Sequence, residues 1–127
     1  MLRKKKHKED VLLGQEPINT LIGQDITLKG DLKGTSTIRI DGNVEGNLHI
    51  EEGVIIGEHA KITGDVHTDK LIVYGQLTGN TYCNNIQIRQ SGILKGDIHT
   101  HIIHIESGGR YNGQLHMKDE NGADANV

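Results

Sequence analysis

Apolar residues recur singly or two apart along this chain, and one short pattern returns again and again. The segments GDLKGTSTIRIDGNVE, GNLHIEEGVIIGEHAKIT, GDVHTDKLIVYGQLT, GNTYCNNIQIRQSGILK and GDIHTHIIHIESGGRYN follow one another from Gly30, and a partial GQLHM begins at Gly113. Successive starts lie 16, 18, 15, 17 and 17 residues apart. Upstream, TLIGQDITLKG imitates VIIGEHAKITG, with Gly23 preceding Gly30 as Gly57 precedes Gly64. Aligned in this register, apolar residues fall into columns. One holds Ile38, Val54, Leu71, Ile86 and Ile103; the next, two residues on, holds Ile40, Ile56, Val73, Ile88 and Ile105. A third runs Val44, Ile62, Leu77, Leu94 and Tyr111, and a fourth Leu32, Leu48, Val66, Thr81, Ile98 and Leu115.

A spacing of two between β-branched residues is the strand period, and glycines four apart, as in GNVEG and GILKG, suit sharp corners between short strands. A period near 17 of this kind describes one coil of a β-solenoid. At ~3.3 Å per residue the coil perimeter is roughly 55 Å, enough for a narrow three-sided tube. The prediction is an all-β, single-stranded β-helix of about six coils over residues 18–117. A disordered basic arm (1–17) precedes it and a disordered acidic tail (118–127) follows. Handedness is not readable from the spacing.

Composition agrees with thin, regular layers. There are 17 glycines, one proline, three tyrosines and no Phe or Trp, so Ile, Leu and Val must fill the interior. Cys83 is the only cysteine, which excludes an intrachain disulfide and fits a reducing compartment. The apolar runs are too short for a membrane-spanning helix, and no secretory signal is expected. Five of the 14 Lys and Arg fall in residues 1–8, leaving nine against all 17 acids in the other 119 residues, a net of −8. An acidic body with a basic arm does not fit a nucleic-acid-binding domain.

The repeat G-[D/N]-[I/V]-x…[I/L]-x-[I/V]…G-x-[V/L]-x-G, closing in GGRYNGQLHM, resembles the bactofilin family over about residues 20–117. The resemblance implies a right-handed β-helix and a bacterial cytoskeletal polymer with cell-shape, wall-synthesis or motility roles. Tyr111 occupies the family's usual Phe position, which is tied to assembly, with Gly113 and Met117 at its glycine and methionine. A tyrosine there adds a hydroxyl that needs a partner if buried. Met1, Leu2, Arg3, Lys4, Lys5 and Lys6 resemble the family's membrane-targeting peptide, and Lys8 extends the charge run. The implied partners are the chain itself, paralogous bactofilins, the inner face of an anionic membrane and unidentified client proteins.

Solenoid physics points the same way, since each bare end presents an unpaired strand ring and an open apolar stack. No amphipathic capping helix is visible in DVLLGQEPIN or KDENGADANV. The expected contact residues are Leu21, Ile22, Ile26 and Leu28 at one end and Tyr111, Leu115 and Met117 at the other. With no Walker-type loop, assembly should need neither nucleotide nor cofactor.

The remaining candidates are chemical. IIGEHAKITGDV, read as hexapeptides, would make His59 the general base of a β-helical acyltransferase, but coils of 15, 16 and 17 residues break that phase. The chain is therefore expected not to be an enzyme, with a monomeric binding solenoid as the other alternative. Cys83 shares its column with Ile50, Thr68, Thr100 and Met117 and should point inward as a small hydrophobe. His99, His101 and His104 look like a metal cluster, yet register separates them. His99 joins Lys33, His49, His67, Tyr82 and His116; His104 joins Arg39, Ile55, Ile72 and Gln87; His101 falls near a corner. Stacked pairs survive at His49–His67 and His99–His116, and their protonation below about pH 6 predicts acid-sensitive filaments.

Overall fold

The computed structural model describes residues 12, 13 and 16–118. The described chain winds through seventeen short strands, β1 (Leu12–Leu13), β2 (Glu16–Ile22), β3 (Thr27–Lys29), β4 (Leu32–Gly34), β5 (Thr37–Ile40), β6 (Asn43–Glu45), β7 (Leu48–Ile56), β8 (Lys61–Thr63), β9 (Val66–Val73), β10 (Gln76–Thr78), β11 (Thr81–Tyr82), β12 (Asn85–Ile88), β13 (Ile93–Lys95), β14 (Ile98–Thr100), β15 (Ile102–Ile105), β16 (Arg110–Asn112) and β17 (Leu115–Met117). From β2 onward every strand pairs in parallel with its counterpart one coil away, which is the predicted β-helix of about six coils.

Three walls are resolved by the pairing. The first stacks β4, the start of β7, the start of β9, β11, β14 and β17. The second stacks β2, β5, the ends of β7 and β9, β12 and β15. The third is a separate sheet of β3, β6, β8, β10, β13 and β16. β7 and β9 pass unbroken round the corner between the first two walls, so those walls belong to one sheet.

All four apolar columns form as read. Ile38, Val54, Leu71, Ile86 and Ile103 align coil to coil, as do Ile40, Ile56, Val73, Ile88 and Ile105. Interior members are almost wholly buried, with Ile40, Ile56, Val73 and Ile88 at 0% exposure, whereas Ile105, on the last coil, is 43% exposed. The column needs a neighbour on each side, and the end of the stack supplies only one.

The spread of coil lengths has two sources. β7 carries a register irregularity between Ile50 and Gly53. Some corners between the second and third walls are four-residue turns, closed by bonds from the N–H of Ile26 to Gly23 O and of Ala60 to Gly57 O; Asp41–Gly42 makes the same corner with two residues.

At the corner that opens each repeat, glycine is obligatory. Gly30, Gly46, Gly64, Gly79 and Gly96 all have φ between 129° and 158°, a region costly for other residues. A Cβ on Gly46, Gly64, Gly79 or Gly96 would also strike the carbonyl oxygen of the preceding glycine in the column. The next residue forms a polar ladder. The side-chain oxygens of Asp31, Asn47, Asp65, Asn80 and Asp97 each accept from the backbone N–H one coil on, at Asn47, Asp65, Asn80, Asp97 and Gln114, over 2.9–3.3 Å.

Candidate assembly ends and the imidazole ladder

The first coil leaves apolar surface uncovered. Leu21 is 63% exposed and Ile26 50% exposed, while Leu28 and Leu32 are only partly buried against the core. Ile22 points inward and is 9% exposed. Leu21 instead sits on the outer column with Arg39, so it flanks the end rather than facing along the axis. β2 carries one feature the sequence did not disclose: β1 runs antiparallel beside it, with Leu12 opposite Pro17 and Leu13 opposite Glu16.

At the other end Ile102 is 57% exposed and Ile105 43%. Ile103, Tyr111 and Leu115 are partly buried hydrophobics on the same coil, with Met117 half-buried beside them. Ile102 was not among the expected contacts, because its column carries Asn85 and Lys70 in earlier coils and shows no apolar run. The Tyr111 hydroxyl donates to Gln114 O at 2.6 Å. Its pKa is raised, chiefly by burial, then by Asp97, with hydrogen bonding to the Ile98 backbone opposing. The hydroxyl thus has its partner inside the coil, and the ring still closes the third apolar column above Leu94. The arm residues Met1, Leu2, Arg3, Lys4, Lys5, Lys6 and Lys8 lie outside the described residues.

The histidines separate as register predicted. His99 pairs with Tyr82 on the first wall and His104 with Gln87 on the second. Among the described residues no group of three or more His, Cys, Asp or Glu is placed to hold a metal ion. The two expected stacked pairs are joined into one column, because the Tyr82 ring fills the gap between them. His49, His67, Tyr82, His99 and His116 stack nearly parallel, with centroids 4.5, 4.5, 4.8 and 4.3 Å apart. Burial lowers the His67 pKa and His49 lowers it further, while Asp65 opposes both. Ile55, outward by alternation, is nonetheless 2% exposed between Arg39 and Ile72.

Cys83 is buried, as expected, and burial pushes its thiol up to about 11 despite a 3.6 Å contact with Thr100 Oγ1. A thiol so rarely ionised is a poor nucleophile. His59 lies exposed in the four-residue corner after Gly57.

The family model "Bactofilin: Polymer-forming cytoskeletal" matches residues 20–116. This chain belongs to the bactofilin family. The bactofilin BacO of Myxococcus xanthus is 26% identical over 100 residues, covering 78% of this chain and 79% of that protein. BacP of the same organism is 28% identical over 102 residues, and there the match spans 42% of the relative's length. Among solved structures, a Thermus thermophilus bactofilin in double helical filaments superposes with a TM-score of 0.73 at 21% identity, covering 76% of this chain and 97% of that one. The bactofilin BacA determined by solid-state NMR gives 0.72 at 23% identity, covering 79% and 96%. This bactofilin therefore shares the fold of both, within a family described as polymer-forming and cytoskeletal.

Proposed function

We propose that this bactofilin is a bacterial scaffold that stacks end to end into nucleotide-independent filaments. Its basic arm holds them at the inner face of the anionic cytoplasmic membrane, where they recruit proteins of cell shape, wall synthesis or motility. The carrying observation is the apolar surface that the described residues leave exposed on the two end coils, with Ile26 on one and Ile102 and Ile105 on the other. Covering them buries apolar surface worth ~25 cal/mol per Å² and pairs open strand edges. Paralogous bactofilins with the same coil geometry would fit the same ends. Each Lys or Arg of the arm contributes about 1 kcal/mol near an anionic surface, and a filament multiplies that by avidity. The pairing of β1 with β2 favours the rival reading of a capped monomer, but among the described residues it covers only Glu16 and Pro17 of the seven-residue β2.

Electron microscopy of the purified chain with and without nucleotide tests the assembly. Filaments should form in both, and Ile105→Arg should disperse them without loss of β-sheet circular dichroism. Small discrete particles at every salt and concentration would overturn the polymer. Deleting residues 2–8 should abolish co-sedimentation with anionic vesicles and spare the filaments; unchanged co-sedimentation would remove the arm's role.

A further inference from the structure

Every repeat opens with a glycine, and in all coils but the last its N–H is tied to the coil that follows. Gly96 N–H donates to Asn112 O at 3.0 Å, and Gly30, Gly46, Gly64 and Gly79 make the same bond one coil on. Gly113 holds this place in the last coil, packed against Gly96 O like the other members of the column. Among the described residues no further coil follows it, and its N–H has no acceptor. The residues immediately before these glycines form one exposed row of the third wall: Lys29, Glu45, Thr63, Thr78, Lys95 and Asn112. The row's one asparagine therefore precedes its one untied glycine. The Asn112 side chain is exposed and unpartnered among the described residues, whereas Asn47 and Asn80 each hold a backbone N–H with the side-chain oxygen.

That juxtaposition is reactive. The backbone nitrogen of a glycine can attack Cγ of the asparagine before it. A C–N bond forms, the glycine N–H gives its proton to solvent, and the side-chain nitrogen takes one up and leaves as ammonia. Water then opens the cyclic imide to aspartate or to isoaspartate. Glycine has no Cβ to hinder the ring closure. A glycine N–H that is already bonded must first release its acceptor, so the same dipeptide inside the stack resists.

We propose that Asn112–Gly113 is a deamidation site gated by coverage of the last coil, converting on free subunits and shielded where a second copy stacks over it. The shielding rests on the end-to-end assembly proposed above; the site itself does not. Conversion to aspartate sets a carboxylate beside Lys95, its neighbour in the ladder. The isoaspartyl product instead lengthens the backbone between β16 and β17, inside the span closed by the Tyr111 hydroxyl and Gln114 O. A subunit left unassembled is thus marked at the end that assembly uses.

The test is a time course of peptide mapping by mass spectrometry in mildly alkaline buffer. Wild-type filaments are compared with Ile105→Arg subunits that circular dichroism shows to be folded. Tryptic cleavage isolates Asn112 in residues 111–118, apart from Asn121. Asn112 should convert in the dispersed subunits and at least about tenfold more slowly in filaments, equivalent to about 1.4 kcal/mol. Lys95→Asn, added to Ile105→Arg, puts the same dipeptide on an inner coil with its glycine tied. Position 95 should convert at least about tenfold more slowly than Asn112 in the same chains. Equal rates at the two positions, or no conversion of Asn112 in folded dispersed subunits, would overturn the site. Equal rates in filaments and dispersed subunits would overturn the shielding alone. Sedimentation records assembly separately: a wild-type chain that never pellets would refute the filament, and the shielding with it, while positions 95 and 112 still judge the site.

Discussion

Thr81 is the one polar residue in the fourth apolar column, between Val66 and Ile98 on adjacent coils. It is 0% exposed, and its Oγ1 has no hydrogen-bond partner. Thr81→Val keeps the branched shape and replaces the hydroxyl with a methyl. A buried hydroxyl left unsatisfied costs about 1–3 kcal/mol, and the new methyl packs where apolar neighbours already stand. The expected gain is about 1–2 kcal/mol, or roughly 3–8 °C in Tm for a domain of this size. Because assembly stabilises a subunit by mass action, urea denaturation should be followed by circular dichroism in the dispersed Ile105→Arg background. Thr81→Ser, which keeps the hydroxyl and loses the methyl, should cost about 1 kcal/mol there. If Val proves destabilising while Ser is harmless, the hydroxyl holds an interaction between coils and the reasoning is refuted.

Three further outcomes are expected. Gly79→Ala, at φ 143° and with its new Cβ against Gly64 O, should lower stability by at least about 2 kcal/mol in the same urea assay. The Cys83 thiol titrates near 11 when folded against an ordinary value near 9. The unfolded chain therefore loses its proton first, and stability should fall by roughly 2–3 kcal/mol as pH rises from 9 to 11; Cys83→Ala should flatten that slope. His67 is shifted the other way for a base, its folded pKa lying below 6.5, so the unfolded chain binds the proton more readily. Stability should then decline as pH falls below about 6.5, and urea midpoints between pH 5 and 7.5 should show a smaller decline in His67→Gln.

The apolar columns were legible because each inward position admits few residue types, so Ile40, Ile56, Val73 and Ile88 announce one another across the chain. Register alone also dissolved the histidine cluster. The continuous ring stack was half visible: His49 with His67 and His99 with His116 match by residue type, whereas Tyr82 belongs to the column by shape. Ile102 escaped because its column carries Asn85 and Lys70 in the preceding coils, so no apolar run marks the position. The short β1–β2 pairing escaped because it involves only Leu12–Leu13 and Glu16–Pro17, and two residues on each side carry no periodicity to read.

The corner ladder of Asp31, Asn47, Asp65, Asn80, Asp97 and Gln114 bears on how the chain avoids misthreading. Its apolar columns are nearly interchangeable from one coil to another, so they discriminate poorly against a loop-out that skips a whole repeat. The ladder places a carboxylate on every second coil with an amide between. Skipping the coil of Asn47 or of Asn80 would set Asp31 over Asp65, or Asp65 over Asp97, at ~4.8 Å, a repulsion of about 1 kcal/mol even in water. The alternation therefore biases the winding against those two slips, which hydrophobic burial alone would not distinguish from the correct register.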